Sequence, residues 1–197
     1  MSEQYFTSVP ESESRPFEFE AECLGQKLRF VCNSGVFSKG EIDEGTRILL
    51  GALPPLKGRI LDLGCGWGPV GVTLGRLYPS ADIVMSDVNQ RAVELSKMNI
   101  AKNAVKNADA LVSDGFENIG GKFDCIITNP PIRAGKQVIY RLFDDAMERL
   151  NQKGSLYIVI RRQQGAESAL KHLGNARVIE KHKGFWVIEA KGETSDE

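Results

Sequence analysis

The sequence predicts an α/β domain in which a mostly parallel sheet is covered by helices on both faces. Between residues 59 and 160, short apolar runs alternate with stretches of helical periodicity. Continuous apolar runs are typical of strands buried on both faces, and their alternation with helices is typical of parallel sheets. The 197 residues, 42% of them hydrophobic and 26% charged, suffice for one domain with a sizeable core.

The elements of this region follow from the same patterns. The predicted strands are 59–63, 82–86, 110–113, 123–128 and 155–160. The predicted helices are 70–77, 91–102 with Asn89 as its cap, and 138–150. Two further strands, 177–180 and 185–189, are joined by a tight Lys183-Gly184 turn, so the last strand is expected to run antiparallel. Together they predict a seven-stranded sheet.

The N-terminal part predicts a small β-hairpin and a helix. Residues 17–21 and 28–32 alternate in polarity around Gly25, and a helix begins near Asp43 and ends before Pro54. We therefore expect a polar tail over residues 1–16, one domain over 17–192 and a short tail over 193–197. Within the domain, residues 17–50 are expected to close a pocket from the N-terminal side.

Composition excludes several classes of protein. No apolar run approaches the roughly 18 residues of a membrane span, and the first residues lack a basic segment followed by an apolar one. A cytoplasmic protein without membrane contact is expected. Four cysteines and two histidines show no zinc-ligand spacing, so no metal is expected. The net charge of −1 means that any RNA binding must use a local basic patch.

A glycine-rich loop follows the first strand of the sheet. Gly64, Gly66 and Gly68 let the backbone turn sharply and approach a ligand closely, and the next helix begins directly after them. A dinucleotide site would require glycine where Pro69 stands. Asp62 is instead predicted to place a carboxylate at the mouth of the loop, where it suits a cationic or N–H-bearing ligand.

Polar residues also end the following strands. Asp87, Asp114 and Asn129 each come after an apolar run, and the carboxyl ends of parallel strands share one edge where ligands bind. Each acid alone has a structural interpretation, because Asp87 can cap the next helix and Asp114 can open a turn. Their combination with the glycine loop favours a common site.

The segment Asn129-Pro130-Pro131 carries the most specific chemistry. Each proline fixes its own φ and donates no hydrogen bond, so the Asn129 side-chain oxygen and the Pro130 carbonyl form a pair of acceptors. Such a pair suits a substrate –NH₂ group. Taken alone, the segment is equally well explained as a stiff turn after a strand.

These motifs resemble those of a known group of enzymes. Asp-x-Gly-x-Gly-x-Gly, the acids after the next two strands and Asn-Pro-Pro are similar to class I S-adenosylmethionine-dependent methyltransferases that act on exocyclic amino or amide nitrogens. More narrowly, residues 35–38, 43–47, 61–66 and 129–131 resemble the methyltransferase small-domain family, over about residues 17–190. That family includes bacterial guanine-N2 methyltransferases of small-subunit ribosomal RNA. The resemblance implies a Rossmann-like fold.

The resemblance also implies a cofactor, S-adenosylmethionine, and the residues that hold it. Gly64, Cys65 and Gly66 would lie behind the methionine moiety. Asp87 would bind the ribose hydroxyls, Val88 would pack on the adenine, and Asp114 would bind its amino group. The full set implied is Phe37, Asp43, Thr46, Asp62, Gly64, Cys65, Gly66, Gly68, Asp87, Val88, Asp114 and Asn129. For Asp43 and Thr46, helix packing is the alternative.

The residues after the prolines bear on the substrate. Related enzymes for adenine or glutamine place an aromatic residue where this chain has Ile132, which argues against adenine. Arg133, Lys136 and Arg161 are candidates for binding RNA phosphates, or else belong to a solvated helix start. Asn129, Pro130 and Pro131 are the expected catalytic residues of an RNA guanine-N2 methyltransferase. A methyltransferase for a protein amide or small amine, and a non-catalytic RNA-binding module, remain alternatives.

Overall fold

The computed structural model describes residues 16–33 and 40–192. The strands are β1 (Pro16–Cys23), β2 (Gln26–Asn33), β3 (Arg59–Leu63), β4 (Asp82–Asp87), β5 (Ala108–Val112), β6 (Phe123–Thr128), β7 (Leu150–Arg161), β8 (Ala176–His182) and β9 (Phe185–Lys191). The α-helices are α1 (Glu44–Ala52), α2 (Pro69–Leu77), α3 (Gln90–Lys102), α4 (Lys136–Glu148) and α5 (Ala166–Leu173). Within these described ranges, no helix has the length and apolar character needed to span a membrane.

Seven strands form one sheet in the order β5-β4-β3-β6-β7-β9-β8. Strands β5, β4, β3, β6 and β7 pair in parallel, and β9 pairs antiparallel with both β7 and β8. The predicted seven-stranded, mostly parallel sheet with an antiparallel last strand is confirmed. The sequence order reverses between β3 and β6, and ligands of open α/β sheets bind at such a reversal.

Helices cover both faces of this sheet. Successive strand residues point to opposite faces, so Ile60 packs with side chains of α1, α2 and α3, whereas Leu61 packs with those of α4 and α5. Both clusters are fully buried at their centres. This double coverage explains why the strands read as continuous apolar runs in the sequence.

Strands β1 and β2 form the predicted N-terminal hairpin as a separate two-stranded sheet. Two asparagines of α3 bond to its second strand, β2: Asn99 bonds to both backbone polar groups of Val31, and Asn103 to those of Arg29. Four residues rise about 6 Å along a helix and two residues about 6.6 Å along a strand, so the two side chains match alternate strand residues. Their hydrogen bonds pair backbone N–H and C=O groups on the edge of β2 that does not face β1.

Some elements differ from the prediction. Helix α5 lies where the sequence predicts none, because its buried residues are the small Ala166 and Ala169 and it spans only two turns. Strand β7 begins at Leu150, which the sequence assigns to the end of a helix. Pro16, assigned to the tail, is the first residue of β1.

A buried carboxylate joins β7, β8 and β9. Glu189 is only 4% exposed, and it bonds to Lys191 Nζ at 2.7 Å, Arg177 Nη2 at 2.8 Å and the Tyr157 hydroxyl at 3.0 Å. Burial alone would raise the pKa of Glu189, but these three hydrogen bonds outweigh it and hold the pKa at about 2. Because an unfolded glutamate has a pKa of about 4.3, its ionisation stabilises the fold above that pH.

We expect Glu189→Gln to lower the free energy of unfolding by about 2 kcal/mol at pH 7, the cost of losing charged hydrogen bonds. The difference from the parent protein should shrink as the pH falls from about 4.3 towards 2, because the parent then loses the same charge. Urea unfolding of both proteins across this pH range measures the difference in the free energy of unfolding. Glu180→Gln, at an exposed position on β8, is the matched control. An equal loss in both variants would contradict the role given to Glu189.

Candidate active site

The glycine loop between β3 and α2 is held by backbone and side-chain hydrogen bonds on both sides. Gly64 N and Cys65 N both donate to Ser86 O of β4 at 2.8 Å. From α3, Ser96 Oγ donates to Gly66 O at 2.9 Å, and Asn99 Nδ2 donates to Trp67 O at 2.7 Å. The loop is therefore a preformed surface, held in place by β4 and α3.

Asp62 lies beneath this loop and not at its mouth. Its side chain is 3% exposed, and Oδ2 accepts a hydrogen bond from Gly71 N in the first turn of α2 at 2.9 Å. A carboxylate there complements the unpaired N–H groups of a helix start. Burial nevertheless raises the pKa of Asp62 to about 7; the charge of Asp87 adds to the rise, and the Gly71 N–H opposes it.

The outer side of the loop is open. Gly64 and Gly66 have φ of 76° and 56°, and a Cβ built on either would meet no atom within 4 Å. The backbone can thus be approached closely by a ligand, and the left-handed conformation is one that glycine adopts without strain. This bare surface fits the methionine moiety of the implied cofactor.

The acid at the end of β4 borders the same open space. Asp87 is half-buried; Oδ2 accepts from Gly66 N and Oδ1 from Asn89 N, both at 2.9 Å. Burial raises the pKa of Asp87, although the N–H groups of Asn89, Gly66 and Val88 oppose the rise. Each carboxylate oxygen retains a second lone pair, so the group can still accept from a ribose hydroxyl. The helix cap is Asn89 itself.

Val88 and Asp114 lie at the same sheet edge. Val88 is half-buried directly after β4, and Asp114 is exposed two residues after the end of the neighbouring strand β5. The Asp114 backbone carbonyl accepts from Glu117 N, which closes the predicted turn. The exposed Asp114 carboxylate remains accessible to a ligand.

Asn129 is fixed by the start of α1. Its Nδ2 donates to Asp43 Oδ1 at 3.4 Å and to Thr46 Oγ1 at 3.3 Å. Asp43 is also the N-cap of α1, because the same oxygen accepts from Thr46 N at 3.1 Å. A carboxylate only accepts hydrogen bonds, so the –NH₂ of Asn129 must face α1. The amide oxygen consequently points away from α1.

That oxygen and its neighbour are available acceptors. Neither Asn129 Oδ1 nor the Pro130 carbonyl accepts a hydrogen bond from residues 16–33 or 40–192. The Pro131 carbonyl, in contrast, accepts from Ala134 N at 2.8 Å in the short 3-10 turn Ile132–Ala134. Buried or half-buried carbonyl oxygens are normally paired. The arrangement suits an external donor with two hydrogens.

The predicted cations lie around the end of β6 and β7. Arg133 and Lys136 are exposed after Pro131, and Lys136 Nζ lies 5.2 Å from the centre of the Tyr140 ring. Arg161 ends β7, three residues beyond Ile158, which pairs with Thr128 at the end of β6. All three cations are therefore at the carboxyl edge of the sheet.

Cys65 is held as an unreactive thiol. It is buried, with Sγ 3.5 Å from Ser96 Oγ, and burial raises the pKa of the thiol well above its ordinary value. The negative charges of Asp62 and Asp87 act in the same direction. A nucleophilic role would require a lowered pKa.

Two residues that shape the site were not predicted from the sequence. Ser96 and Asn99 are both fully buried on α3 and hold the glycine loop. They lie three residues apart, among the apolar residues of the buried helix face. Polar side chains inside an apolar stripe are the signal that could have found them. Phe37, which the resemblance assigns to the cofactor, lies outside the described residues.

Comparison with curated proteins gives both full-length and partial relatives. The Bacillus subtilis (strain 168) protein YbxB is 41% identical over 97% of this chain and 99% of its own length. Ribosomal RNA small subunit methyltransferase C of Actinobacillus pleuropneumoniae serotype 7 is 36% identical over 93% of this chain. The chain spans 57% of that enzyme's length.

A solved structure and a family match point the same way. The T. thermophilus 16S rRNA N2 methyltransferase RsmC, in complex with AdoMet and guanosine, superposes with a TM-score of 0.81 at 29% identity. The match covers 94% of this chain and 52% of that one. Residues 27–189 match the Methyltransferase small domain family. This range includes the glycine loop, the acids at the carboxyl edge of the sheet and Asn129. The chain belongs to the methyltransferase small domain family.

Proposed function

We propose that this protein transfers a methyl group from S-adenosylmethionine to the exocyclic N2 amine of a guanine in small-subunit ribosomal RNA. The observation that carries the proposal is the pair of acceptors, Asn129 Oδ1 and the Pro130 carbonyl, which receive no hydrogen bond from residues 16–33 and 40–192 and lie at the same sheet edge as an open glycine loop. The N2 activity named for the T. thermophilus enzyme supports the choice of guanine, and the name of the Actinobacillus pleuropneumoniae relative supports small-subunit ribosomal RNA.

The residues around the loop would hold the cofactor, whose sulfonium supplies an already activated methyl group. Gly64 and Gly66 offer bare backbone to its methionine part, and Asp87 offers carboxylate oxygens to its ribose. Asp62, beneath the loop, supplies negative charge near a ligand that carries positive charge. Val88 and Asp114 would contact the adenine.

The residues of the Asn-Pro-Pro segment would act on the amine. An exocyclic amine conjugated with a base is a weak nucleophile because its lone pair is delocalised. Accepting both N–H hydrogens at Asn129 and Pro130 favours a pyramidal nitrogen and stabilises the positive charge that develops there. The second contribution is alignment, because a fixed acceptor pair sets the direction from which nitrogen approaches the methyl carbon. No strong general base is needed before transfer.

The basic side chains around this segment would bind the rest of the RNA. Arg133 and Lys136, both exposed, and Arg161 would contact phosphates, and Ile132 would give the base an aliphatic contact. A guanine that is stacked in folded RNA must be turned out to reach Asn129, which costs a few kcal/mol. An unfolded segment of ribosomal RNA avoids that cost.

We expect methyl-labelled cofactor, incubated with the protein and total RNA from cells lacking it, to leave label in N2-methylguanosine after digestion. A parallel reaction with total protein tests the other acceptor class, and the Asn129→Ala variant controls for contaminating enzymes. Label in protein alone, or in another nucleoside, would overturn the guanine assignment. Cofactor binding without label in any acceptor would favour the non-catalytic RNA-binding module.

A further inference from the structure

A cleft lies at the carboxyl end of β7, at the same edge of the sheet as the candidate active site. This cleft has a volume of about 580 Å³ and is lined by Arg161, Arg162, Gln163, Glu167, Lys183 and Gly184. The lining has three cations and one carboxylate, and Glu44 pairs with Lys183 at its border, so an excess of one positive charge remains. Its lining residues come from the end of β7 with the following turn, from α5 and from the turn between β8 and β9.

The cleft has a defined shape because its walls are bonded to one another. The Arg161 guanidinium carbon lies 4.3 Å from the centre of the Phe185 ring, which fixes one face of the guanidinium and leaves its N–H edge available. Arg162 N donates to Gly184 O at 2.9 Å and joins the end of β7 to the β8–β9 turn.

The cleft is linked to the active site through the start of α1. Lys183 Nζ lies 2.6 Å from Glu44 Oε1, and Glu44 is the first residue of α1. The preceding residue is Asp43, whose carboxylate accepts from the Asn129 amide. On the same helix, Gly45 packs so closely on Phe185 that a Cβ there would lie 2.9 Å from the ring. The first turn of α1 thus contacts both the cleft and Asn129.

An anion that binds more strongly can displace the carboxylates from the ion pairs of the cleft. Lys183 and Glu44 are 61% and 43% exposed, and Arg162 and Glu167 are 68% and 63% exposed. Ion pairs between side chains this exposed contribute little to stability, because water screens both charges. A phosphate diester that reaches two or three cations at once, with a bidentate contact to an arginine, binds more strongly than either single carboxylate.

We propose that this cleft binds a backbone phosphate of the RNA strand adjacent to the methylated guanosine. The inference rests on the proposed function, and it adds Lys183 and the β8–β9 turn to the substrate-binding surface. The active site and the cleft together define a path for one strand, from the end of β6 across the start of α1 to the β8–β9 turn.

The test is the salt dependence of RNA binding by the full chain. A fluorescent fragment of small-subunit ribosomal RNA is titrated with protein between 50 and 300 mM KCl, in the presence of S-adenosylhomocysteine. The binding constant K falls as salt rises, so the slope of log K against log salt is negative. Removing one phosphate-binding cation should reduce the magnitude of this slope by roughly 0.7–1 and weaken binding several-fold. We expect this for Lys183→Ala and for Arg161→Ala.

Lys153→Ala is the matched control, because Lys153 also precedes a glycine and has a positive φ of 62° but lies towards the opposite end of β7. Its slope should equal that of the parent protein. Unchanged slopes in both Lys183→Ala and Arg161→Ala would overturn the cleft proposal even if the protein methylates guanine. Altered slopes with no methylation of guanine would instead overturn the proposed function alone. Competition by polyglutamate as strong as that by RNA would overturn the assignment to RNA.

Discussion

Replacing Asn129 with alanine is expected to lower the rate of methyl transfer by about a hundredfold or more, while the affinity for S-adenosylmethionine changes only a few-fold. The reason is that the proposed hydrogen bond from the amine to the amide oxygen strengthens as positive charge develops on the nitrogen, whereas the proposed contacts to the cofactor come mainly from the glycine loop and Asp87. Single-turnover rates and cofactor titration, measured on the same preparations, separate the two effects.

The matched control is Asn175→Ala, because Asn175 is an exposed asparagine whose amide also makes a long hydrogen bond, at 3.4 Å, to a backbone carbonyl. It should leave both quantities unchanged. Asn129→Ala also removes the bonds to Asp43 and Thr46, but Asp43 keeps its own bond to Thr46 N and α1 remains capped. If cofactor affinity and turnover fall equally, Asn129 serves to position α1 and takes no part in the reaction.

The affinity for S-adenosylmethionine is expected to rise about tenfold between pH 5.5 and pH 7, because Asp62 must ionise to favour a cationic ligand. Its pKa of about 7 means that the carboxyl is mostly protonated at the lower pH. The cofactor's own ammonium group stays largely charged over this range. Calorimetric titration at several pH values measures the slope, and Asp62→Asn, which can still accept from Gly71 N, should abolish it.

Ionisation of Asp62 and ionisation of Glu189 have opposite effects on the stability of the fold. A raised carboxyl pKa means that the folded protein binds more protons than the unfolded chain between about pH 4 and 7. Ionisation of Asp62 therefore lowers the stability of the free protein over this range, and the stabilisation by cofactor should grow with pH. Asp109→Asn is the control, because that side chain is exposed on β5 and has no proposed contact with the cofactor. A slope that persists in Asp62→Asn would assign the titration to Asp87, whose pKa is also raised.

The sequence predicted elements well where a local signal was strong. Helix α3 begins one residue before its predicted start, because Asn89 caps it, and β6 has the predicted bounds because its apolar run is continuous. Helix α5 was not predicted, because its buried alanines give almost no apolar periodicity. The common edge of Asp87, Asp114 and Asn129 followed from the parallel sheet alone.

Other features of the site depend on contacts between distant parts of the chain. Asp43 and Asn129 are 86 residues apart, and only the placement of α1 beside the end of β6 brings them together. The sequence suggested that Asp43 faces the cofactor or packs within its helix, and it gave no reason to pair it with Asn129. The depth of Asp62 likewise depends on how α2 packs on β3, which loop composition does not reveal.

Asn99 of α3 also couples the hairpin to the glycine loop. Asn99 bonds at once to Val31 of the hairpin and to Trp67 of the glycine loop, and the Trp67 ring packs edge-on against Phe30 at 4.8 Å. The hairpin shares no strand pairing with the main sheet, yet it cannot separate without breaking its bonds to Asn99 and the packing of Phe30 on Trp67 of the loop. Hairpin and loop therefore form one cooperative unit of local unfolding. Fraying of residues 16–33 would deform the cofactor surface, and bound cofactor would in turn protect the backbone amides of the hairpin from exchange.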